Sequence, residues 1–506
     1  MFAALRPYCY TYKVNFMITQ KTTNRYETVI GLEVHAQLAT ASKMYCRCAS
    51  DYAAADPNTR VCPVCLGLPG VLPVINKRAV EFTMMTALAL NCTIAPHSKF
   101  DRKNYPYPDL MKGYQISQYD EPIGRNGWMD VIVNGESRRI AITRVHLEED
   151  VAKLIHRDEP GGGYSLVDVN RSGVPLMEIV SEPDMREPEE ARQYLMKLRS
   201  ILRYLGVSVA NMEEGSFRCD ANISLRPQGQ TEFNPKVEVK NMNSFRAVFR
   251  ALEYEVIRQT EDYDLGVRVI QETRGWVDKR GETVSQRSKE FAHDYRYFPE
   301  PDLPPLAFDE AWIEGIRAEL PELPDARQSR FIEQFSLSEY DAALLTASRE
   351  TADYFEQVIA GHKVSAKDTA NWLNGEVSRI VNAEGINITD FIIRVPAMAL
   401  AELIGIAGSG KITNATAKTV LEEMFGSGKT AEAIIKEKGL AQISDDSSLT
   451  GMASEVIAAN PGAVNDYLAG KEQSLKFLVG QMMKLSKGRA NPALAAEIIK
   501  QQLKEG

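Results

Sequence analysis

The chain has 506 residues, 44% of them apolar and 25% charged, proportions that exclude wholesale disorder, a collagen and a coiled-coil rod. Its net charge of −9, from 59 Lys+Arg against 68 Asp+Glu, argues against a protein that coats itself in nucleic acid, so any such contact is local or shared with a partner. Apolar runs such as residues 84–90 fall far short of the ~20 residues that span a bilayer, so the expectation is a soluble, cytoplasmic chain with no membrane contact.

Residues 1–25 carry Arg6, Lys13, Lys21 and Arg25 but no acid. They read as a loose, disordered leader, with Met17 as an alternative start and an organellar transit peptide as the other reading. Regular patterning begins at Tyr26. Residues 26–38 alternate with period two, placing Tyr26, Thr28, Ile30, Leu32 and Val34 on one face and Glu33, His35 and Gln37 on the other. Further strands are predicted over 139–150, 164–170 and 218–226. An amphipathic helix over 187–205 has Glu and Pro in its first turn and stops at Gly206; a second helix covers 245–260. Pro299, Pro301, Pro304 and Pro305 break the chain, and the pattern from Phe308 onward is helical, loosened at Gly405, Gly408 and Gly410. The predicted fold class is α+β. A mostly antiparallel-sheet cradle with flanking helices (26–300) precedes an all-α domain (301–405) and a small helical tail (406–506).

Seven cysteines are too few for a disulfide scaffold in a chain of this size. Four of them, Cys46-x-Cys48 and Cys62-Pro-Val-Cys65, are two closely spaced thiol pairs joined by a loop, the pattern of a tetrahedral all-thiolate Zn2+ site. With all four positions filled by sulfur, no coordination position is left for substrate, so the role is structural. Period two also puts Glu33 with His35, and His146 with Glu148, on common strand faces. Glu178 shares a face with Leu176 and Val180, where a carboxylate needs a partner or an ion. Arg218, Asp220 and Asn222 alternate likewise, as do Lys236, Glu238 and Lys240. The bland reading of all these is the solvated face of antiparallel strands. The stretch from Phe100 to Gln118, with Arg102, Lys103 and several Tyr and Pro, reads either as a rigid phosphate-binding loop or as an ordinary surface loop. Gly426-Ser-Gly-Lys-Thr430 imitates a phosphate loop, but Glu423 stands where its first glycine belongs, and Gly405-x4-Gly-Lys411 continues with Ile412; both read as glycines between helices. From residue 406 onward 12 Lys/Arg face 11 Asp/Glu, with Lys476, Lys484, Lys487, Arg489, Lys500 and Lys504 near the end. Charge alone makes this a solvated helical face.

Longer blocks carry a resemblance. Val29-Ile-Gly-Leu-Glu-Val-His35, Phe100-Asp-Arg-Lys-Asn-Tyr105, Gly113-Tyr-Gln-Ile-Ser-Gln118, Val167-Asp-Val-Asn-Arg171, Glu178-Ile-Val-Ser-Glu-Pro-Asp184, Arg218-Cys-Asp-Ala-Asn-Ile-Ser224, Asp294-Tyr-Arg-Tyr-Phe-Pro-Glu-Pro301 and Ser486-Lys-Gly-Arg-Ala-Asn-Pro492 closely resemble the B subunits of glutamine-dependent aspartyl/glutamyl-tRNA amidotransferases. The resemblance implies a ligase that binds misacylated Glu-tRNA(Gln), Asp-tRNA(Asn) or both and phosphorylates the side-chain carboxylate with ATP. The acyl phosphate then meets ammonia from a glutaminase (amidase) subunit, with a small third subunit completing a heterotrimer. It implies Mg2+, with Mn2+ acceptable, on Glu33, His35, Glu148 and Glu178, and Zn2+ on Cys46, Cys48, Cys62 and Cys65. Arg102 and Lys103 match the family's basic loop and count with those four as catalytic; Arg102, Lys103, Arg218, Asp220 and Lys240 are the expected nucleotide-binding set. The tail is expected to touch tRNA. Met111 replaces an expected proline, which bears on the local turn. The rival is a zinc-bearing tRNA scaffold with all chemistry on its partners; a third reading, the archaeal glutamate-only homologue, needs an inserted domain that this length does not accommodate.

Overall fold

The computed structural model describes residues 25–159, 162–288, 295–360, 364–441, 446–486 and 490–505. Nearly all of the expected leader, and Lys487 and Arg489 of the tail, lie outside them. The chain divides into two compact units, residues 1–323 and 324–506.

The first unit is built on a nine-stranded sheet. In chain order the strands needed here are β1 (Tyr26–Gln37), β2 (Thr93–Ile94), β3 (His97–Ser98), β4 (Asp101–Asn104), β5 (Tyr114–Ser117), β6 (Gly124–Val133), β7 (Glu136–Glu149), β8 (Lys153–Arg157), β9 (Tyr164–Asp168), β10 (Pro175–Ser181), β11 (Phe217–Pro227), β12 (Val237–Lys240), β13 (Glu272–Val277), β14 (Glu282–Ser288) and β15 (Phe298–Pro299). The large sheet runs β14-β13-β12-β11-β1-β10-β7-β6-β2, antiparallel throughout except for the parallel β12–β13 pair, while β15-β4-β5 form a separate three-stranded sheet. The α+β class and the mainly antiparallel cradle expected from the sequence are what the chain adopts.

Alternation along β1 settles which face is which. Ile30, Leu32, Val34 and Ala36 enter a hydrophobic core with Met177 and Ile179 of β10 and Val145 and Leu147 of β7. Helices α1 (Lys77–Ala89), α2 (Pro188–Tyr204) and α3 (Phe245–Asp264) cover that face with Met84, Leu88, Leu195, Leu198, Val248 and Leu252. α2 begins where its sequence signals say: Glu187 and Glu190 form a reciprocal capping box and Pro188 follows the cap. The opposite face carries Glu33, His35, Glu178, His146, Glu148 and Arg218.

The proline cluster does not end the first unit. Helix α4 (Glu310–Ala318) continues it, with Phe308 and Ile316 in the same core as β1. In the second unit, Gly405 and Gly408 lie inside helix Ala397–Gly408 rather than in a linker, because Leu400, Leu403 and Ile404 anchor that helix in a core that continues through Ile434. A separate core begins at Leu449. The unit boundary falls near 323, and the buried cores of the second unit are separate, one reaching residue 434 and the other starting at residue 449. Both imitation phosphate loops are helix ends: Gly428 is a left-handed C-cap and Thr430 the N-cap of the next helix. Among the described residues no single helix is long and apolar enough to cross a membrane.

Candidate metal and phosphoryl-transfer site

Strand register assembles the site. His35 of β1 lies opposite Glu178 of β10, which lies opposite His146 of β7, and on its other side His35 faces Arg218 of β11. Glu148, two residues beyond His146, joins this row from the same face. The Nε2 atom of His35 is 3.3 Å from Glu178 Oε2 and 3.7 Å from Glu148 Oε1. His146 Nε2 is 3.4 Å from Glu178 Oε2 and 3.8 Å from Glu148 Oε2. Ligand atoms of His35, Glu148 and Glu178 lie within 4.8 Å of one another.

Two buried carboxylates this close need compensating positive charge. Glu148 and Glu178 are 2% and 6% exposed, and two adjacent buried carboxylates are costly unless compensated. Burial pushes both pKa values up. The hydrogen bond from His146 and the charges of His35 and Lys103 reverse this for Glu148; His146, His35 and Lys103 do so more strongly for Glu178. His35 shows the other side of the same balance: burial opposes its charge, but the hydrogen bond and charge of Glu178 and the charge of Glu148 lift its pKa to about 9. Ser117 Oγ of β5 donates to Glu148 Oε2 at 3.1 Å, and Arg144 NH2 lies 3.5 Å from Glu178 Oε1. Two carboxylates and one imidazole, on rigid neighbouring strands, form a donor set suited to a borderline-hard divalent ion such as Mn2+ or Mg2+.

The other expected residues divide. Lys103 enters this field: burial lowers its pKa, but Glu148 and Glu178 raise it further, and its Nζ stands 5.0 Å from the ring of Tyr295. Arg102 does not. As its neighbour on β4 it points the opposite way, its Nε and NH2 each 2.7 Å from Glu300, with its guanidinium stacked 4.4 Å from the Tyr114 centroid. Glu33 is outside the three-residue cluster and accepts from Asn222 at 2.8 Å. Lys240 pairs with Asp220 at 2.6 Å, and Arg218 with buried Asp150 at 2.9 Å. His146 was legible only as a residue sharing a face with Glu148; its contact with both carboxylates depends on the register between β7 and β10, which periodicity within one strand does not contain. A cavity of about 520 Å³ opens from Glu33 away from the cluster, lined by Asn222, Ser224, Asn234, Lys236 and Gln271 among others.

Cys46, Cys48, Cys62 and Cys65 do converge, with one sulfur from each within 4.8 Å of the others. The Cys62–Cys65 sulfur separation of 3.9 Å fits the ~3.8 Å edge of a tetrahedron with ~2.3 Å metal–sulfur bonds. The Cys62 amide donates to Cys65 Sγ at 3.0 Å. A hydrogen bond from Cys46, opposed by burial and aided by the Cys62 amide and by Lys43, draws the Cys65 thiol down to about 5. The loop is pinned to the cradle by Asn170, whose side chain donates to Asp56 O at 2.8 Å and accepts from Arg60 N at 2.8 Å. This cluster can hold a metal.

Comparison with known proteins gives the family. Residues 28–314 match the GatB/GatE catalytic domain and residues 353–503 the GatB domain. The chain is 64% identical to the aspartyl/glutamyl-tRNA(Asn/Gln) amidotransferase B subunit of Dehalococcoides mccartyi strain CBDB1, over 95% of this chain and all of that protein. It is 58% identical to the B subunit of Moorella thermoacetica over 94% of its length and all of that protein, and 54% identical to that of Brevibacillus brevis over 95% and 99%. With both halves matched and relatives aligned from end to end, the chain belongs to the family of aspartyl/glutamyl-tRNA(Asn/Gln) amidotransferase B subunits.

Proposed function

We propose that the His35–Glu148–Glu178 cluster is where this protein phosphorylates the side-chain carboxylate of Glu or Asp esterified to tRNA, within a cytoplasmic complex whose glutaminase subunit delivers ammonia and whose small third subunit completes the assembly. The observation that carries the reading is the placement of three ligand-bearing side chains on adjacent strands beside the half-buried cation Lys103. A carboxylate does not react with ammonia because oxide cannot leave. Once its oxygen has displaced ADP from the γ-phosphoryl of ATP, attack by ammonia expels inorganic phosphate instead and forms the amide.

That transfer requires alignment and charge neutralisation more than covalent help. A bound Mg2+ or Mn2+ would supply part of the neutralisation, held by Glu148, Glu178 and the unprotonated imidazole of His35. Lys103 supplies a fixed positive charge to the transferred phosphoryl group. Arg218, held by Asp150 and next to His35 on the sheet, presents the rest of its guanidinium toward substrate phosphate or carboxylate. The cavity beside Glu33 offers amide and hydroxyl groups for the nucleoside of ATP. Zn2+ in the four-cysteine knuckle is structural, since four sulfurs leave no open position.

The test is Glu178→Gln in the purified complex with charged tRNA, ATP and ammonium salt, which bypasses glutamine hydrolysis. Amide formation is expected to fall at least a hundredfold and Mn2+ to bind at least tenfold more weakly by EPR titration, in line with the ~10–100-fold cost of even an outer ligand contact. Binding of charged tRNA is expected to stay within about twofold. An undiminished rate with supplied ammonia would leave this chain as a tRNA scaffold and move the chemistry to a partner.

A further inference from the structure

The proposed phosphoryl site does not account for a group of tyrosines at its rim. Tyr119, just after β5, and Tyr297, just before β15, lie face to face with ring centroids 4.2 Å apart and planes at 8°. Tyr295 meets Tyr297 edge-on at 5.9 Å, and Tyr105 meets Tyr295 at 5.6 Å. The group surrounds Lys103, whose Nζ stands 5.0 Å from the Tyr295 centroid and 5.7 Å from that of Tyr105. The outermost ring, Tyr119, is 56% exposed. A large aromatic ring held flat against another yet open to water is a surface prepared for a further flat partner.

The platform is fixed rather than incidental. The Tyr119 amide donates to Asp101 at 3.1 Å, the Asn104 amide donates to Tyr295 O at 2.9 Å, and the Asn104 side chain donates to Arg296 O at 2.9 Å. Arg296, between the two tyrosines, is held at φ 45°, a conformation that non-glycine residues adopt rarely and at a cost.

We propose that the Tyr119–Tyr297 stack receives the 3′-terminal adenine of the charged tRNA, an inference that rests on the function proposed above. Chemistry sets the distance. The reacting carboxyl carbon of a glutamyl ester lies six bonds from the ribose carbon, so the base sits roughly 10–13 Å from the phosphorylated oxygen, at about 1.3 Å of reach per bond plus the sugar and ring. Tyr119 lies two residues beyond Ser117, about 7 Å along an extended chain, and Ser117 Oγ is 3.1 Å from Glu148 Oε2, which puts Tyr119 at about this range from the cluster. Tyr297 stacks on Tyr119 and meets Tyr295 edge-on, and the Tyr295 ring lies 5.0 Å from Lys103 Nζ. The platform belongs to the β4–β5 side of the site, which reaches the cluster through Ser117 and Glu148, whereas the cavity by Glu33 opens along β1 in the other direction. The ATP nucleoside thus has its own hydrogen-bonding recess. The exposed Tyr119 ring is left to a base that arrives from solvent on a long strand, and adenine on tyrosine needs only a flat face.

Tyr119→Ala and Tyr119→Trp separate the possibilities in the intact complex, with three probes: charged tRNA, the same tRNA lacking its terminal adenosine, and a non-hydrolysable ATP analogue. Tyr119→Ala is expected to weaken intact charged tRNA by roughly five- to a hundredfold, the span of base–aromatic stacking. It leaves the shortened tRNA and the ATP analogue unchanged, and Tyr119→Trp restores binding. Equal losses for both tRNAs, or no loss, overturn the proposal; a loss confined to the ATP analogue assigns the platform to the nucleotide and overturns it too. Failure of the phosphoryl-transfer reading shows separately, as undiminished amide formation by Glu178→Gln.

Discussion

Two neighbouring cations on β4 have different surroundings, and the consequence is measurable. Arg102 binds Glu300 through two 2.7 Å contacts, and Glu300 is 2% exposed. Removing one partner of a buried pair costs about 3–5 kcal/mol, because the other charge stays behind unpaired. Glu300 keeps one further donor, the Asp302 amide at 3.1 Å, which places Arg102→Met at the lower end, about 3 kcal/mol. In a unit of this size, at about 2 °C per kcal/mol, the melting temperature is expected to fall by about 6 °C. Below that temperature ATP-dependent amide formation is expected to persist, since the guanidinium faces away from Glu148 and Glu178. Glu300→Gln added to Arg102→Met removes the stranded charge and is expected to recover part of the loss. Lys103→Met is the counterpart. Its positive charge lies in the field of both carboxylates, so kcat is expected to fall at least a hundredfold, with a smaller thermal shift than Arg102→Met. The assay is differential scanning calorimetry beside amide formation at about 15 °C with ammonium salt, well below the expected transition. An Arg102→Met protein that melts like the wild type but is inactive would show that Arg102 works on phosphate, and the clamp would be refuted.

Two further outcomes follow from groups remote from the reacting atoms. Cys62→Ser, or treatment with a strong zinc chelator, is expected to release one zinc per chain by elemental analysis and to lower the melting temperature. At low temperature the kcat for amide formation is expected to stay within about threefold, since the knuckle offers sulfur to the metal and no site to a substrate. Glu255, fully buried on α3, has its pKa raised by burial but lowered overall by Arg258, Gln259 and Thr283, so its carboxylate stabilises the fold above the usual carboxyl range and that contribution disappears as pH falls through the depressed value. Glu255→Gln is expected to cost about 3 kcal/mol at pH 7, with the gap from wild type closing in acid; urea unfolding at pH 7 and pH 3 checks it, and a gap constant with pH would exclude the ionic origin.

The legibility of the sequence has a physical boundary. Period two along residues 26–38 correctly separated the core face of β1 from its polar face, because alternation is a property of one strand. The knuckle was legible because its spacing alone brings four sulfurs together. The helix signals around Glu187 and Pro188 are equally local. The joining of His35, Glu178 and His146 is not, since it depends on β10 lying between β1 and β7, strands more than a hundred residues apart in sequence. The same limit explains Arg102 and Lys103: composition marks both as basic, and only pairing of β4 with β15 shows that one is committed to Glu300. The core breaks near 323 and after 434 were hidden for a related reason. Prolines and glycines report where a backbone can turn, whereas a domain ends where side chains stop sharing a core.

The division of labour along β4 also bears on why the site tolerates so much buried charge. Glu148 and Glu178 face His35, Arg144 and Lys103, so the site carries compensating cations before any metal enters. Those cations are not equivalent. The imidazole of His35 must give up its proton to act as a ligand, whereas Lys103, its pKa raised by the same carboxylates, keeps its own. A metal held by His35, Glu148 and Glu178 would therefore take the place of a proton on His35 and leave the lysine charged, the charge that the proposed function assigns to the phosphoryl oxygens. A site compensated only by metal would collapse into repulsion between carboxylates each time the ion departed. This one has positive charge of its own beside the carboxylates, which would hold them together whenever the proposed ion is absent.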